Sequence, residues 1–346
     1  MSSPTRAAAV RSTTDPAPGP PLLEVRDLWV EYRTSYGLTN AVNGLSYSVN
    51  RGETLAILGE SGSGKSVAAR AVLGIIESPP GYVTGGEVLF DEVDLTRLPA
   101  KEMRRIRGER IAIVFQDALT ALNPVFTVGF QIAEMFRVHR GMSHADATRK
   151  AIELLDRVRI PNAHNRVGDY PHQFSGGMRQ RVMIAMAIAL EPDLLIADEP
   201  TTALDVTVQA QIMALLAELR HDLGMGLVLI THDLGVVAEV ADRAVVMYAG
   251  RGIEYAPIGE LYKSPAHPYT RALMRSIPRA DQKGGRLEAI DGAPPNLSAI
   301  PAGCEFHPRC PLAAPVCSEE RPDPVEVAAG RRSACHFAEK VVSGEQ

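Results

Sequence analysis

The chain has 346 residues, and 45% of them are hydrophobic, which is enough apolar material for two domains or one large domain with an appendage. Its net charge of -5 gives no reason to expect nucleic acid as a main partner. No apolar run is long enough to cross a bilayer, so we expect a soluble chain.

The N-terminal part of the chain divides by composition. Residues 1–21 are rich in Ser, Thr, Ala and Pro and lack the apolar core of a secretory signal, which predicts a disordered tail. A nucleotide-binding domain is predicted over 22–255. Apolar segments at 23–28 and 44–49 are predicted strands of a small β-subdomain, and helical patterns predict a helical subdomain at about 117–190.

A phosphate-binding loop is the strongest motif of the chain. Positions 59–66 read Gly-Glu-Ser-Gly-Ser-Gly-Lys-Ser, between a predicted strand at 53–58 and a predicted helix at 67–73. This order aims backbone N–H groups and a helix N-terminus at a polyphosphate. Ser66 is also expected to ligate Mg²⁺. The residues expected to contact the nucleotide are Gly59, Ser61, Gly62, Gly64, Lys65 and Ser66.

Two acids end a second apolar segment. Asp198 and Glu199 follow the run Leu-Leu-Ile-Ala, which is predicted to be a strand of a buried parallel sheet. Asp198 is placed to hold the Mg²⁺ shell, and Glu199 is placed to activate an attacking water as a general base. Beside a phosphate-binding loop, this pair predicts an ATPase.

A second glycine-rich helix start lies between these two motifs. Phe174, Ser175, Gly176 and Gly177 open a long apolar helix, and helix N-termini bind anions. One nucleotide has no need of two such ends from the same chain. We therefore infer that two chains face each other and that each supplies one end to a shared ATP.

With these motifs the chain resembles the ABC ATPase family. Residues 175–177 resemble its signature motif, with Met178 where glutamine is usual. The resemblance implies an α/β fold: a P-loop core with a mostly parallel sheet, an antiparallel β-subdomain, a helical subdomain and a C-terminal extension. It implies four further roles: Gln116 senses Mg²⁺ and the transport subunit, Asp205 lies in the D-loop, His232 contacts the γ-phosphate, and Tyr32 (or else Tyr36) stacks on adenine.

The C-terminal part, 256–346, holds all four cysteines. Disulfides are disfavoured in the reducing compartment expected for such an ATPase. The spacing leaves three alternatives open, namely a [4Fe–4S] cluster, structural zinc and metal-free packed thiols. The candidate ligands are Cys304, Cys310, Cys317 and Cys335.

The sequence around these cysteines, at 267–273, 292–297 and 301–310, resembles the oligopeptide/dipeptide branch of ABC importer ATPases. The resemblance implies a D-type subunit that pairs with an F-type ATPase, two permease subunits and an extracytoplasmic solute-binding protein, at the cytoplasmic face of the membrane. It also favours the [4Fe–4S] cluster. Peptides are the expected cargo; nickel, glutathione or another small solute are the alternatives.

Other ATPase classes fit less well. A DNA-repair or chromosome ATPase of the same superfamily would need long coiled coils or an inserted zinc module. A translation-associated ATPase would carry two nucleotide domains, and this chain has one P-loop. An exporter would often include a membrane span. The segment 119–124, directly after Gln116, is instead well placed to touch a separate transport subunit.

Overall fold

The protein is described by a computed structural model that covers residues 19–35, 37–202, 204–276 and 290–344. Most of the predicted disordered tail, 1–21, lies outside these residues, as does Tyr36. Within the covered ranges, no helix is both long enough and apolar enough to cross a membrane.

The strands form two sheets. They are β1 Leu23–Thr34, β2 Gly37–Val49, β3 Thr54–Leu58, β4 Gly81–Phe90, β5 Val93–Asp94, β6 Ile111–Val114, β7 Leu194–Asp198, β8 Gly226–Ile230, β9 Arg243–Tyr248, β10 Arg251–Pro257, β11 Val325–Ala328 and β12 Arg331–Ser333.

Helices fill the connections between these strands. They are α1 Lys65–Val72, α2 Ala100–Ile106, α3 Ala118–Ala121, α4 Val128–Arg140, α5 His144–Arg157, α6 Ala163–Arg166, α7 Gly176–Ile188, α8 Val206–Leu223, α9 Leu234–Val240, α10 Ile258–Lys263, α11 Pro268–Arg275, α12 Pro315–Glu319 and α13 Ala338–Ser343.

The main sheet has the order β11-β12-β10-β9-β3-β8-β7-β6. The five strands from β9 to β6 run parallel, and β10, β11 and β12 add antiparallel strands at one side. Every residue of β3, β7 and β8 is buried, because helices cover one face of these strands, and α1 with the antiparallel sheet covers the other. The predicted α/β class with a mostly parallel core is confirmed.

The second sheet is antiparallel, with the order β2-β1-β4-β5. Its first two strands are longer than the predicted segments 23–28 and 44–49, since their pairing continues as far as Thr34 opposite Gly37. The extra length is less apolar and is interrupted by register shifts, which weakens the alternating pattern that predicts strands.

Five helices, α3 to α7, lie between β6 and β7, within the segment predicted to be a helical subdomain. Their inner faces pack into one core that includes Ile132 of α4, Leu155 of α5 and Ile184 of α7, each 0% exposed. The helix α7 extends from this core toward the main sheet, so the glycine-rich motif at its start is held by a well-packed element.

The C-terminal extension completes the main sheet. Glu254 of β10 pairs in register with Ser333 of β12, and the predicted domain boundary at 255 therefore falls inside a strand. The buried Glu254 carboxylate accepts hydrogen bonds from the N–H groups of Ala266 and His267, and Arg331 lies 3.7 Å away. Backbone pairing and a buried charge thus join the extension to the nucleotide domain.

Candidate nucleotide-binding site

The phosphate-binding loop joins β3 to α1 and is pressed against two neighbouring strands. Gly59 and Gly64 have φ angles of +149° and +98°, which favour glycine. A Cβ at Gly59 would lie 2.3 Å from the carbonyl oxygen of Met247, and one at Gly64 would lie 2.2 Å from that of Ala41. Glycine is therefore required at both positions by backbone angle and by space.

Lys65 follows this loop and is buried, with 4% of its surface exposed. Its Nζ donates hydrogen bonds to the carbonyl oxygens of Gly59 at 2.8 Å and Glu60 at 2.9 Å. Burial lowers the pKa of Lys65, whereas the nearby carboxylates of Glu199 and Asp198 favour its charged form. The loop thus presents a buried cation where a polyphosphate would bind.

Ser66 and Asp198 meet at the start of α1. The Ser66 hydroxyl donates to Asp198 Oδ1 at 2.8 Å, and burial of Asp198 raises the pKa of its carboxyl group. A hydroxyl and a carboxylate are the oxygen ligands that Mg²⁺ uses beside phosphates, so this pair fits the predicted magnesium site.

Three side chains contact the carboxylate of Glu199. Gln116 Nε2 and Thr202 Oγ1 donate to Glu199 Oε2 at 2.8 and 3.0 Å, and His232 Nδ1 lies 3.4 Å from Oε1. Glu199 has a left-handed φ of +47°, which costs a non-glycine residue roughly 1–2 kcal/mol. The Glu199 N–H donates a hydrogen bond to the carbonyl oxygen of Ile230 in β8, which helps to hold Glu199 in this conformation.

The signature motif and the D-loop contact each other. Ser175 is exposed and caps α7, accepting a hydrogen bond from the Met178 N–H, and Asp205 caps α8 in the same way through Val208. A Cβ at Gly177 would lie 2.5 Å from Val208 Cγ1, so the start of α8 needs a glycine there. Ser175 and Asp205 are thus two exposed polar side chains, each at the N-terminus of a helix, and the two helix starts touch through Gly177 and Val208.

Tyr32 lies in β1 and is partly buried. Its ring packs against the core between the antiparallel sheet and the main sheet. A Cβ at Gly81 would lie 3.0 Å from Tyr32 Cε1 and 2.4 Å from Ile76 Cγ2. Contact with adenine stays a prediction for Tyr32, and the alternative, Tyr36, lies outside the described residues.

Three contacts of the site were not predicted from the sequence. Thr202 donates to Glu199, Gln209 of α8 donates to Asp233 at 2.6 Å next to His232, and Glu60 is held by the C-terminal extension. Glu60 occupies a variable position of the P-loop pattern, so the motif gives no signal for it.

The four cysteines are free and line one small cavity, together with His307, His336 and Phe337. Burial raises the pKa of Cys304 to about 12 and that of Cys335 to about 11, and neighbouring thiols add to both effects. In the part of the chain that the structure describes, no group of three or more His, Cys, Asp or Glu side chains is arranged to hold a metal ion. The structure brings the cysteines together without supporting the [4Fe–4S] prediction.

Comparison with known proteins places the chain in a family. Residues 42–202 match the family model "ABC transporter", and residues 253–317 match "Oligopeptide/dipeptide transporter, C-terminal region". The oligopeptide transport ATP-binding protein OppD of Salmonella typhimurium is 49% identical over 311 residues, covering 90% of this chain and 92% of OppD. The chain belongs to the ABC transporter family. The match of its C-terminal region places it in the oligopeptide/dipeptide branch of that family.

Further relatives agree with this membership. The probable peptide ABC transporter ATP-binding protein y4tR of Sinorhizobium fredii is 49% identical over 323 residues, covering 93% of this chain and 96% of y4tR. A dimeric post-hydrolysis structure of the ATP-binding cassette MJ0796 with ADP and Pi matches with a TM-score of 0.62 and 28% identity, over 68% of this chain and 98% of the cassette. The predicted ABC ATPase class is confirmed, and a transporter ATPase implies permease partners.

We predict that Glu199→Gln nearly abolishes ATP hydrolysis by the assembled transporter. The amide keeps the shape and the contacts to Gln116 and Thr202 but cannot accept the water proton, and loss of a general base typically costs roughly 10²- to 10⁴-fold. Turnover and ATP affinity are measured together; affinity should persist. Glu153→Gln, at an exposed carboxylate of α5, is the control. Turnover close to wild type in Glu199→Gln would contradict the assignment.

Proposed function

We propose that this ABC ATPase hydrolyses ATP to drive peptide import through partner permease subunits. The observation that carries the proposal is the convergence of Gln116, Glu199 and His232 next to the Ser66–Asp198 pair, at the mouth of the P-loop. The peptide cargo is supported by the C-terminal match and by the printed names of OppD and y4tR.

The residues have distinct roles in this reaction. Lys65 turns its ammonium from the loop carbonyls to the β- and γ-phosphates. Ser66, Asp198 and Gln116 would hold Mg²⁺, which neutralises phosphate charge when bound. Glu199 accepts the proton of the attacking water, and His232 orients the γ-phosphate from the opposite side of that carboxylate.

A second ATPase subunit completes each site. Ser175 and Asp205 are exposed at the N-termini of α7 and α8, and the glycine-rich start of α7 suits the phosphates of a nucleotide held by another chain. The MJ0796 cassette was solved as a dimer, which supports this arrangement. We propose that the partner is the related F-type subunit.

The permeases dock beside Gln116. Four large apolar side chains follow or flank this residue and are exposed, and a neighbouring apolar groove lies between the main sheet and the helices α3, α4 and α7. Contact here would couple a permease to the Glu199–Gln116 hydrogen bond. The exposed side chains are Phe115, Leu119, Val125 and Phe126.

We propose that the protein works at the cytoplasmic face of the membrane and that an extracytoplasmic solute-binding protein delivers the cargo.

Transport by the complete complex in proteoliposomes tests the function. ATP inside should drive accumulation of di- or oligopeptides, and a complex with Glu199→Gln should not transport. Accumulation of nickel or glutathione without peptide uptake would contradict the peptide assignment, while ATP-independent uptake would contradict the mechanism.

We predict that Ser175→Ala impairs hydrolysis at the partner's P-loop and leaves ATP binding to the isolated full chain intact. The matched control is Ser143→Ala, because Ser143 caps α5 through the same side-chain hydrogen bond but lies outside the signature motif. Both variants should lose similar capping energy, about 1 kcal/mol. Loss of ATP binding by the isolated Ser175→Ala chain would indicate a site built within one chain.

We propose that the four cysteines bind one [4Fe–4S] cluster that fixes the extension. Four thiols lining one cavity are the right donor set, and because burial disfavours free thiolates, a cationic centre would stabilise them. The described residues contain no arrangement of three or more His, Cys, Asp or Glu side chains that could hold a metal ion, so ligation would require this segment to rearrange.

Anaerobically purified protein is therefore expected to be brown, with about four irons per chain. Cys317→Ser should lose the colour and most of the iron; Ser318→Ala, at the next residue, is the control. Colourless protein with one zinc ion per chain would favour the zinc alternative, and protein without metal would favour packed thiols.

A further inference from the structure

The C-terminal extension contacts the phosphate-binding loop directly through Glu60. Arg309 donates from Nη1 to Glu60 Oε2 at 2.7 Å and from Nη2 to Oε1 at 3.1 Å, although the two residues are 249 positions apart. The Glu60 N–H donates to the Tyr269 hydroxyl oxygen at 2.8 Å. Both the side chain and the backbone of this loop residue are thus held from outside the nucleotide domain.

Glu60 also belongs to the part of the loop that holds Lys65. Its carbonyl oxygen accepts hydrogen bonds from Lys65 Nζ at 2.9 Å and from the Ser63 N–H at 3.2 Å. A carboxylate at this position repels a polyphosphate unless a cation balances it. The bidentate guanidinium is that cation, and its fork geometry also fixes the direction of the carboxylate.

Arg309 is held in place by contacts within the protein. Its side chain is 5% exposed, Nη1 also contacts the Tyr248 hydroxyl at 3.2 Å, and Nε donates to the Asp291 carbonyl at 2.9 Å. It ends a short 3-10 turn, His307–Arg309, which lies between two of the four cysteines. The arginine is therefore positioned by the same segment that lines the cysteine cavity.

We propose that Arg309 is a positioning residue for ATP binding, which balances the charge of Glu60 and fixes the direction of its carboxylate, so that this carboxylate does not repel the polyphosphate. ATP affinity then depends on the folded extension. This inference rests on the proposed ATP site, whose own test is separate: Lys65→Ala should remove ATP binding in every background, whatever happens at Arg309.

The test compares Arg309→Met with the double variant Arg309→Met/Glu60→Gln in the full chain, with ATP·Mg²⁺ affinity measured by calorimetry. Arg309→Met should raise the Kd about tenfold, within the usual range for coupled sites. Removing the unbalanced carboxylate in the double variant should recover most of this loss. In the assembled transporter the KM for ATP should rise in the single variant, with little change in kcat at saturating ATP.

Arg140→Met is the control, because it breaks another arginine–glutamate pair, with Glu109, on an exposed surface. If Arg309→Met does not fold, Arg309→Lys is compared with and without Glu60→Gln in the same way. An unchanged Kd in the single variant would overturn the proposal. A double variant no better than the single one would also overturn it, because a purely mechanical contact is broken equally in both.

Discussion

The parallel pairing of β3, β7 and β8 determines where the chemistry takes place. Asp198 lies in register with Ile230, so the acid pair and the loop that carries His232 leave the sheet at the same edge. The neighbouring β3 ends there in the P-loop, with Ala56 opposite Leu229. These strands are buried by helices on one face and by α1 with the antiparallel sheet on the other, so their register is held from both sides and the polar groups at their ends meet.

The P-loop itself is held on three sides. The strands β2 and β9 approach it so closely that only glycine fits at positions 59 and 64. On the third side, Arg309 of the C-terminal extension pairs with Glu60. A loop with little freedom left loses little entropy when it orders around a polyphosphate. The extension thus contacts the phosphate-binding loop as well as completing the sheet, and through Arg309 we propose that it affects ATP binding.

The sequence predicted the buried strands β3 and β7 to within about a residue, since short apolar runs next to a motif have few alternatives. It also predicted the polar residues Ser66, Gln116, Asp198, Glu199 and His232, which the fold brings together at one edge of the sheet. It could not predict Arg309 on Glu60, because an ion pair between distant positions has no periodicity. The strand Arg331–Ser333 was missed for a similar reason: pairing with β10 makes it a strand, and its composition does not. The cysteines were predicted to act together, and they line one cavity, but spacing alone does not determine what they bind.

The most direct measurement is a structure of the complete transporter carrying Glu199→Gln, determined by electron microscopy with ATP and Mg²⁺. We expect Lys65 Nζ to contact the β- and γ-phosphates, Ser66 to ligate Mg²⁺ beside Asp198, and Ser175 to contact the other nucleotide, held by the partner ATPase. Lys65 and Ser175 on the same nucleotide, or a nucleotide bound away from the shared edge of β3, β7 and β8, would contradict the composite site.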